Sequence, residues 1–156
     1  MTNQITFKIN TFLKDKSVSL SETDLSTLNI ELDPMNGIDG VIIITDGDNE
    51  IHIIDELWCL AVNACFNTSA RLANGESFEF SQYSGLGTVN FVSLGDETIV
   101  ATEDSSATFK SDLSENLRAC GDRIIDFLTK KFSDNSDFSF TIEDVTKARD
   151  HSRTLS

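Results

Sequence analysis

The sequence is poor in the residues that usually announce a chemistry. It has one proline, Pro34, two histidines, His52 and His151, and three cysteines. Cys59, Cys65 and Cys120 follow no framework spacing, which excludes a disulfide scaffold and fits a reducing compartment. Cys59 and Cys65 fall six apart on one predicted helix, about 240° around its axis, and so cannot share an ion. All three are expected to be buried free thiols. The longest purely aliphatic run is Val41 to Ile44, far too short to span a membrane. The opening MTNQITFKINTFLKDK lacks the apolar stretch and small-residue cleavage site of a signal peptide, so a cytoplasmic location is expected.

Catalytic groupings are equally scarce. SGLG (84–87) is a glycine-containing loop, but no lysine follows it and no strand-to-helix transition frames it, so it is no phosphate cradle. His52 stands between Ile51 and Ile53 in a strand pattern, pointing opposite to them and toward solvent. His151 lies in the tail. No placed base or metal cluster emerges, and the expectation is a non-enzyme with no cofactor and no metal.

The most informative scarcity is of positive charge. The formal net charge is −14, and it is not evenly spread. Residues 17–109 hold sixteen acids and a single base, Arg71, whereas residues 110–156 hold nine acids against eight bases. Residues 1–16 carry three lysines and one aspartate. Solubility alone would be served by an even scatter. A block of this kind predicts one strongly negative face, which repels nucleic acid and anionic membrane and attracts basic partners.

What is present reads as one domain. At 156 residues and 39% hydrophobic, with eleven phenylalanines, the chain can bury a real core. Ile5, Phe7 and Ile9 alternate with Thr6, Lys8 and Asn10 as in a half-buried strand. SVSLSETDLS (17–26) reads as polar loop, and LNIELD (28–33) as a strand stopped by Pro34. VIIIT (41–45) and IHIID (51–55) form a predicted hairpin across an Asp-Gly-Asp-Asn turn. Asp55 is placed as the N-cap of a helix over 56–74 that stops at Asn74-Gly75. That helix is apolar round most of its circumference, so Trp58 and Phe66 are expected in the core.

Beyond residue 77 the short strands SFEFSQY, TVNFVSL, TIVAT and SATFK form a meander, with a Gly95-Asp96 turn. Asp112 and Glu115 suggest a capping box for a second helix, with Leu113, Leu117, Cys120, Ile124, Leu128 and Phe132 on one face. DFSFTI (137–142) could add an edge strand, and the tail from about 143 is expected to be a short fraying helix. The predicted class is α+β: an antiparallel sheet of short hairpins and a meander, with two main helices packed on one face.

The acids at loop tips are the candidate partner-binding residues: Asp46, Asp48 and Glu50; Asp96 and Glu97; Glu103 and Asp104. The first group resembles a calcium loop only at positions 1, 3 and 5. Position 6 is Ile51 instead of the pivot glycine, and position 12 is Leu57 instead of a closing carboxylate. A solvated acidic turn is the expectation.

In size, acidity, lack of catalytic residues and a hairpins–helix–meander–helix layout over residues 5–132, the chain resembles a group of bacterial proteins. These are the cytosolic immunity proteins of polymorphic toxin systems, including contact-dependent growth inhibition. The resemblance implies a partner, a cognate basic toxin domain such as a nuclease, neutralised in a tight one-to-one complex. It brings no site residues with it. Small acidic α/β chaperones of type III secretion are the alternative, although those usually begin with a helix and this chain begins with strand-like ITFKINTFL. A small enzyme or ligand binder is a third.

Overall fold

Hydrophobic alternation near the N-terminus builds the first of two antiparallel sheets. The computed structural model describes residues 3–13, 16–27, 38–82, 87–109, 113–132 and 143–151. Strand β1 (Gln4–Leu13) pairs on one side with β2 (Lys16–Ser21) and on the other with β3 (Asp39–Thr45), which pairs with β4 (Glu50–Glu56). The register sets Phe7 opposite Ile42 and Ile42 opposite Ile53, so these buried side chains share one face. The expected strand over 28–33 lies outside the described residues.

Residues 17–26 are not the expected loop. They form most of β2 and of helix α1 (Glu22–Thr27). Leu20 supplies the reason, since it is buried opposite Ile9 and extends the apolar face by one strand. Ser21 and Asp24 cap α1 reciprocally: the Asp24 N–H donates to Ser21 Oγ at 3.2 Å and the Ser21 N–H to Asp24 Oδ2 at 3.0 Å.

The central helix follows β4 without a linker. It comprises α2 (Leu57–Cys59), a π-helical stretch (Leu60–Asn67) and α3 (Thr68–Ala73). Asp55 is not its N-cap. The strand continues through Glu56, Asp55 Oδ1 accepts from the Glu56 N–H at 2.7 Å, and the Leu57 N–H donates to the Ile38 carbonyl at 2.7 Å. A backbone carbonyl thus does what a cap side chain would do. The end is as predicted: Gly75 has φ +77°, and the Glu76 and Gly75 N–H groups donate to the carbonyls of Arg71 and Leu72, each at 3.0 Å. That pair of bonds is a Schellman motif.

One side of this helix passes from solvent to core along its length. Trp58 is 38% exposed, Val62 is half-buried, and Phe66 and Ser69 are fully buried. Phe66 therefore sits in the core as expected, and Trp58 does not. The reason is that helix α4 (Leu113–Phe132) packs on the π-helical stretch and on α3, at Phe66 and Ser69 among others, and not to the same extent on α2, which carries Trp58. A methyl built on Gly121 of α4 would lie 2.6 Å from Phe66 Cζ and 3.0 Å from Cys65 Cβ, so only glycine permits this approach. Ser69 and Ser114 lock the register, each hydroxyl donating to the other's carbonyl at 2.8 Å. Of the predicted inner face of α4, Leu113, Leu117, Cys120, Ile124 and Leu128 are all buried, and the Phe132 side chain lies outside the described residues. Asp112 and the 137–142 segment lie outside the described residues.

The meander forms the second sheet, β5 (Phe78–Ser81), β6 (Thr88–Ser93), β7 (Thr98–Ala101) and β8 (Ser106–Phe109), in that order. Its inward residues, including Phe80, Phe91, Val100 and Phe109, join one core cluster with those of the first sheet and both long helices. The α+β class, antiparallel strands and two main helices are thus present, with hairpins and meander in separate four-stranded sheets. Residues 143–151 form helix α5, which is tied down rather than frayed. Val145 is fully buried, and Arg149 Nη1 lies 3.9 Å from Asp122 Oδ1 on α4. Among the described residues no helix is long and apolar enough to cross a membrane.

Two stability measurements check this packing. Phe66→Ala should cost about 3–5 kcal/mol in urea unfolding, with Trp58→Ala costing a fraction of that. Gly121→Ala, which would stabilise an exposed helix, should instead cost about 1–3 kcal/mol through overpacking against the Phe66 ring. A raised melting temperature for Gly121→Ala would show that the two helices do not approach this closely.

Candidate functional site

The acidic loop tips are held by turn chemistry. In the β3–β4 turn, Gly47 adopts φ +96° and the Asp46 N–H donates to the Asn49 carbonyl at 3.2 Å. Asp46 closes the turn with its side chain as well: Oδ1 accepts from the N–H groups of Asn49 at 2.8 Å and Asp48 at 2.9 Å. Its other oxygen, Oδ2, accepts from the Thr108 N–H of β8 at 3.0 Å. Both carboxylate oxygens are therefore occupied by backbone donors. The N–H groups of Asn49, Thr108 and Asp48, in that order of effect, hold Asp46 below its ordinary pKa of 3.8. Asp46 is half-buried and bridges the two sheets, so it is more than a solvated tip.

Side chains along the outer edge of β4 show how the sheets meet. The Ile54 N–H donates to Gln82 Oε1, just past β5, at 3.1 Å. Four residues earlier, the Glu50 carbonyl accepts from Ser105 Oγ, just before β8, at 3.4 Å. β5 and β8 are opposite edges of the second sheet. Strand β4 therefore crosses the end of that sheet instead of running beside one of its strands.

This crossing decides which tips come together. The β7–β8 turn, carrying Glu103 and Asp104, lies against the β3–β4 turn that carries Asp46, Asp48 and Glu50. An open depression of about 390 Å³ there is lined by Asn49, Thr102, Glu103, Asp104, Ser105 and Ser106, with no large apolar side chain. Asp48, Glu50, Glu103 and Asp104 are exposed. Among the described residues no lysine or arginine pairs with any of these five acids. Glu50 Oε2 has His52 Nε2 at 3.0 Å, a partner that is charged only when protonated. Asp96 and Glu97 stand apart. Their turn, built on Gly95 at φ +90°, opens β7, whereas Glu103 and Asp104 follow its end, about 13 Å of strand away. The structure thus brings together two of the three predicted tips.

Of the cysteines, Cys65 and Cys120 are buried, but Cys59 is only half-buried. Its position at the start of the central helix leaves it short of full cover. Burial, and then the carboxylates of Asp55 and Glu56, push its thiol up to about 12, which keeps it out of the reactive thiolate form at neutral pH. Among the described residues no three His, Cys, Asp or Glu side chains are grouped to hold a metal ion. An open groove of about 470 Å³ between α1 and α4 gathers the cations Arg123, Lys130 and Lys131 around Leu25 and Phe127. There Arg123 is committed to Glu22 Oε1 at 2.7 Å and to the Ile5 carbonyl at 2.8 Å.

Sequence reasoning missed four exposed apolar residues, Ile54 at 36%, Trp58 at 38%, Val92 at 39% and Leu94 at 58%, the first two near the end of β4. Strand parity was the available signal. Glu50, His52, Ile54 and Glu56 all point opposite to the buried Ile51 and Ile53. No family model matches the chain, and searches of curated proteins and of solved structures return no match either.

The Asp46 latch has a pH signature. Its folded pKa is depressed, so its contribution to stability is present above 3.8 and is lost as pH falls through the lower folded value. Asp46→Asn should therefore melt below the wild type at neutral pH, and the gap should narrow progressively in acid below pH 3.8. A gap that stays constant on acidification would show that the carboxylate charge plays no part in the latch.

Proposed function

We propose that this chain is a non-catalytic binding protein that neutralises a basic toxin domain, of nuclease type, by forming a tight one-to-one complex. It would then act as an immunity protein. The observation that carries the reading is the convergence of the 46–50 and 102–105 turns into one acidic patch with no lysine or arginine paired to it among the described residues. Unneutralised carboxylates on rigid turns cost nothing to arrange at the moment of encounter. They project a field that steers a cationic surface while repelling nucleic acid, the substrate a basic nuclease must otherwise reach. An open, wholly polar depression supports a macromolecular partner better than a small ligand, whose sites are usually concave and largely apolar.

Asp46 is tied into the fold, so the test uses Asp48 and Glu103, which are exposed. Reversing both to lysine should slow association with the cognate toxin domain, sought first in the product of the adjacent gene, by about tenfold or more at low ionic strength. The salt dependence of the on-rate should flatten with it. Asp96→Lys, at the far end of the second sheet, should have a much smaller effect. Stopped-flow binding at two ionic strengths reads all three. An on-rate indifferent to salt and to both reversals would reduce the acidity to a solubility device.

A further inference from the structure

Steering acids bring a partner close but hold it weakly, because exposed ion pairs contribute little once formed. A tight complex needs a desolvated centre, and such centres are apolar and rich in tryptophan, tyrosine and arginine. Resting on the proposed function above, we infer that the partner is anchored on the outward face of β4, with Ile54 and Trp58 as the apolar centre and the acidic turns as its far rim. The partner surface that fits is an apolar patch ringed by arginine and lysine.

Three observations converge on this face. Outward parity carries Glu50, His52, Ile54 and Glu56 in a row, so the face is continuous with the acidic turns through Glu50, about 20 Å of strand from Glu56. Trp58 lies just past the end of this row, and its indole is oriented: Nε1–H donates to Glu56 Oε2 at 2.6 Å. An exposed tryptophan already held in one rotamer loses little further entropy on binding. The charge around it is one-sided. Asp39 is paired across the strands with Glu56 on this face, while the parity of Asp55 beside it is that of the other face. Burial above all, with smaller contributions from the charges of Glu56 and Asp39, raises the pKa of the neighbouring Asp55. The nearest described cation on this face is Lys8, two strands from Ile54 across Val41.

Binding by strand addition does not fit here. The outer edge of β4 is already engaged by Gln82 at Ile54 and by Ser105 at Glu50. The partner must meet side chains on the sheet face, with its own cations placed over Glu56 and the indole.

Trp58 is the sole tryptophan of the chain and so a built-in reporter. The chain would be labelled with 5-fluorotryptophan and mixed with the product of the adjacent gene, with fluorine NMR and dissociation kinetics as the readouts. The expected result is a shifted Trp58 resonance on complex formation. Trp58→Ala and Ile54→Ser should each raise the dissociation rate about thirtyfold or more, with on-rates nearly unchanged. Tight binding with an unmoved fluorine signal and wild-type dissociation in both variants would overturn this anchor and leave the proposed function standing. No binding at all would overturn the proposed function itself. The fluorine readout uses the unsubstituted backbone and core, so misfolding of a variant cannot mimic either result.

Discussion

The Phe66 ring resting on the backbone of Gly121 fixes how the rest of the molecule is arranged. Two helices can lie this close only where one of them has no side chain, and the reciprocal Ser69–Ser114 bonds then permit a single register. With that contact made, α4 reaches across to the first sheet, where Phe127 meets Phe7 and Arg123 meets the Ile5 carbonyl. The central helix runs directly out of the first sheet and ends in a Schellman turn that leads into the second. One tight helix pair therefore sets where both sheets can be.

The charge distribution takes on structure within that frame. The sixteen acids of residues 17–109 do not act as a class. Glu22 is spent on Arg123, Asp24 on capping α1, and Asp46 on latching a hairpin tip to β8. Subtracting these leaves a smaller, solvent-facing set, including Asp48, Glu50, Glu103 and Asp104, grouped because β4 crosses the end of the second sheet. An acid bound to backbone donors does not give its charge to a partner as freely as one facing water. The distinction matters more than the net value of −14.

Much of the fold was legible in local pattern. Alternating isoleucines around a Gly-centred turn gave the β3–β4 hairpin, Asn74-Gly75 gave the end of the central helix, and evenly spaced short strands gave the meander. β2 was missed although Val18 and Leu20 alternate with serines, because the run is short, mostly polar and fully buries only Leu20. Trp58 was misplaced for a different reason. A helix apolar over a wide arc shows that most of it is covered, but the covering element, α4, lies far along the chain and packs on the π-helical stretch and α3 more than on α2. The candidate site divides the same way. Each acidic turn could be read from its own residues, and their meeting could not, since it depends on a crossing of two sheets made by Gln82 and Ser105 side chains.

That crossing has a further consequence. The exposed edge of a sheet ordinarily offers unpaired backbone groups on which another copy can add its own strand, the first step toward fibrils and amorphous precipitate. On β4, a strand rich in isoleucine and thus prone to such templating, side chains from elsewhere in the same molecule engage the edge at Ile54 and Glu50, while acids at both of its ends keep copies apart. A protein guarded in this way can accumulate to high concentration without consuming itself in self-association.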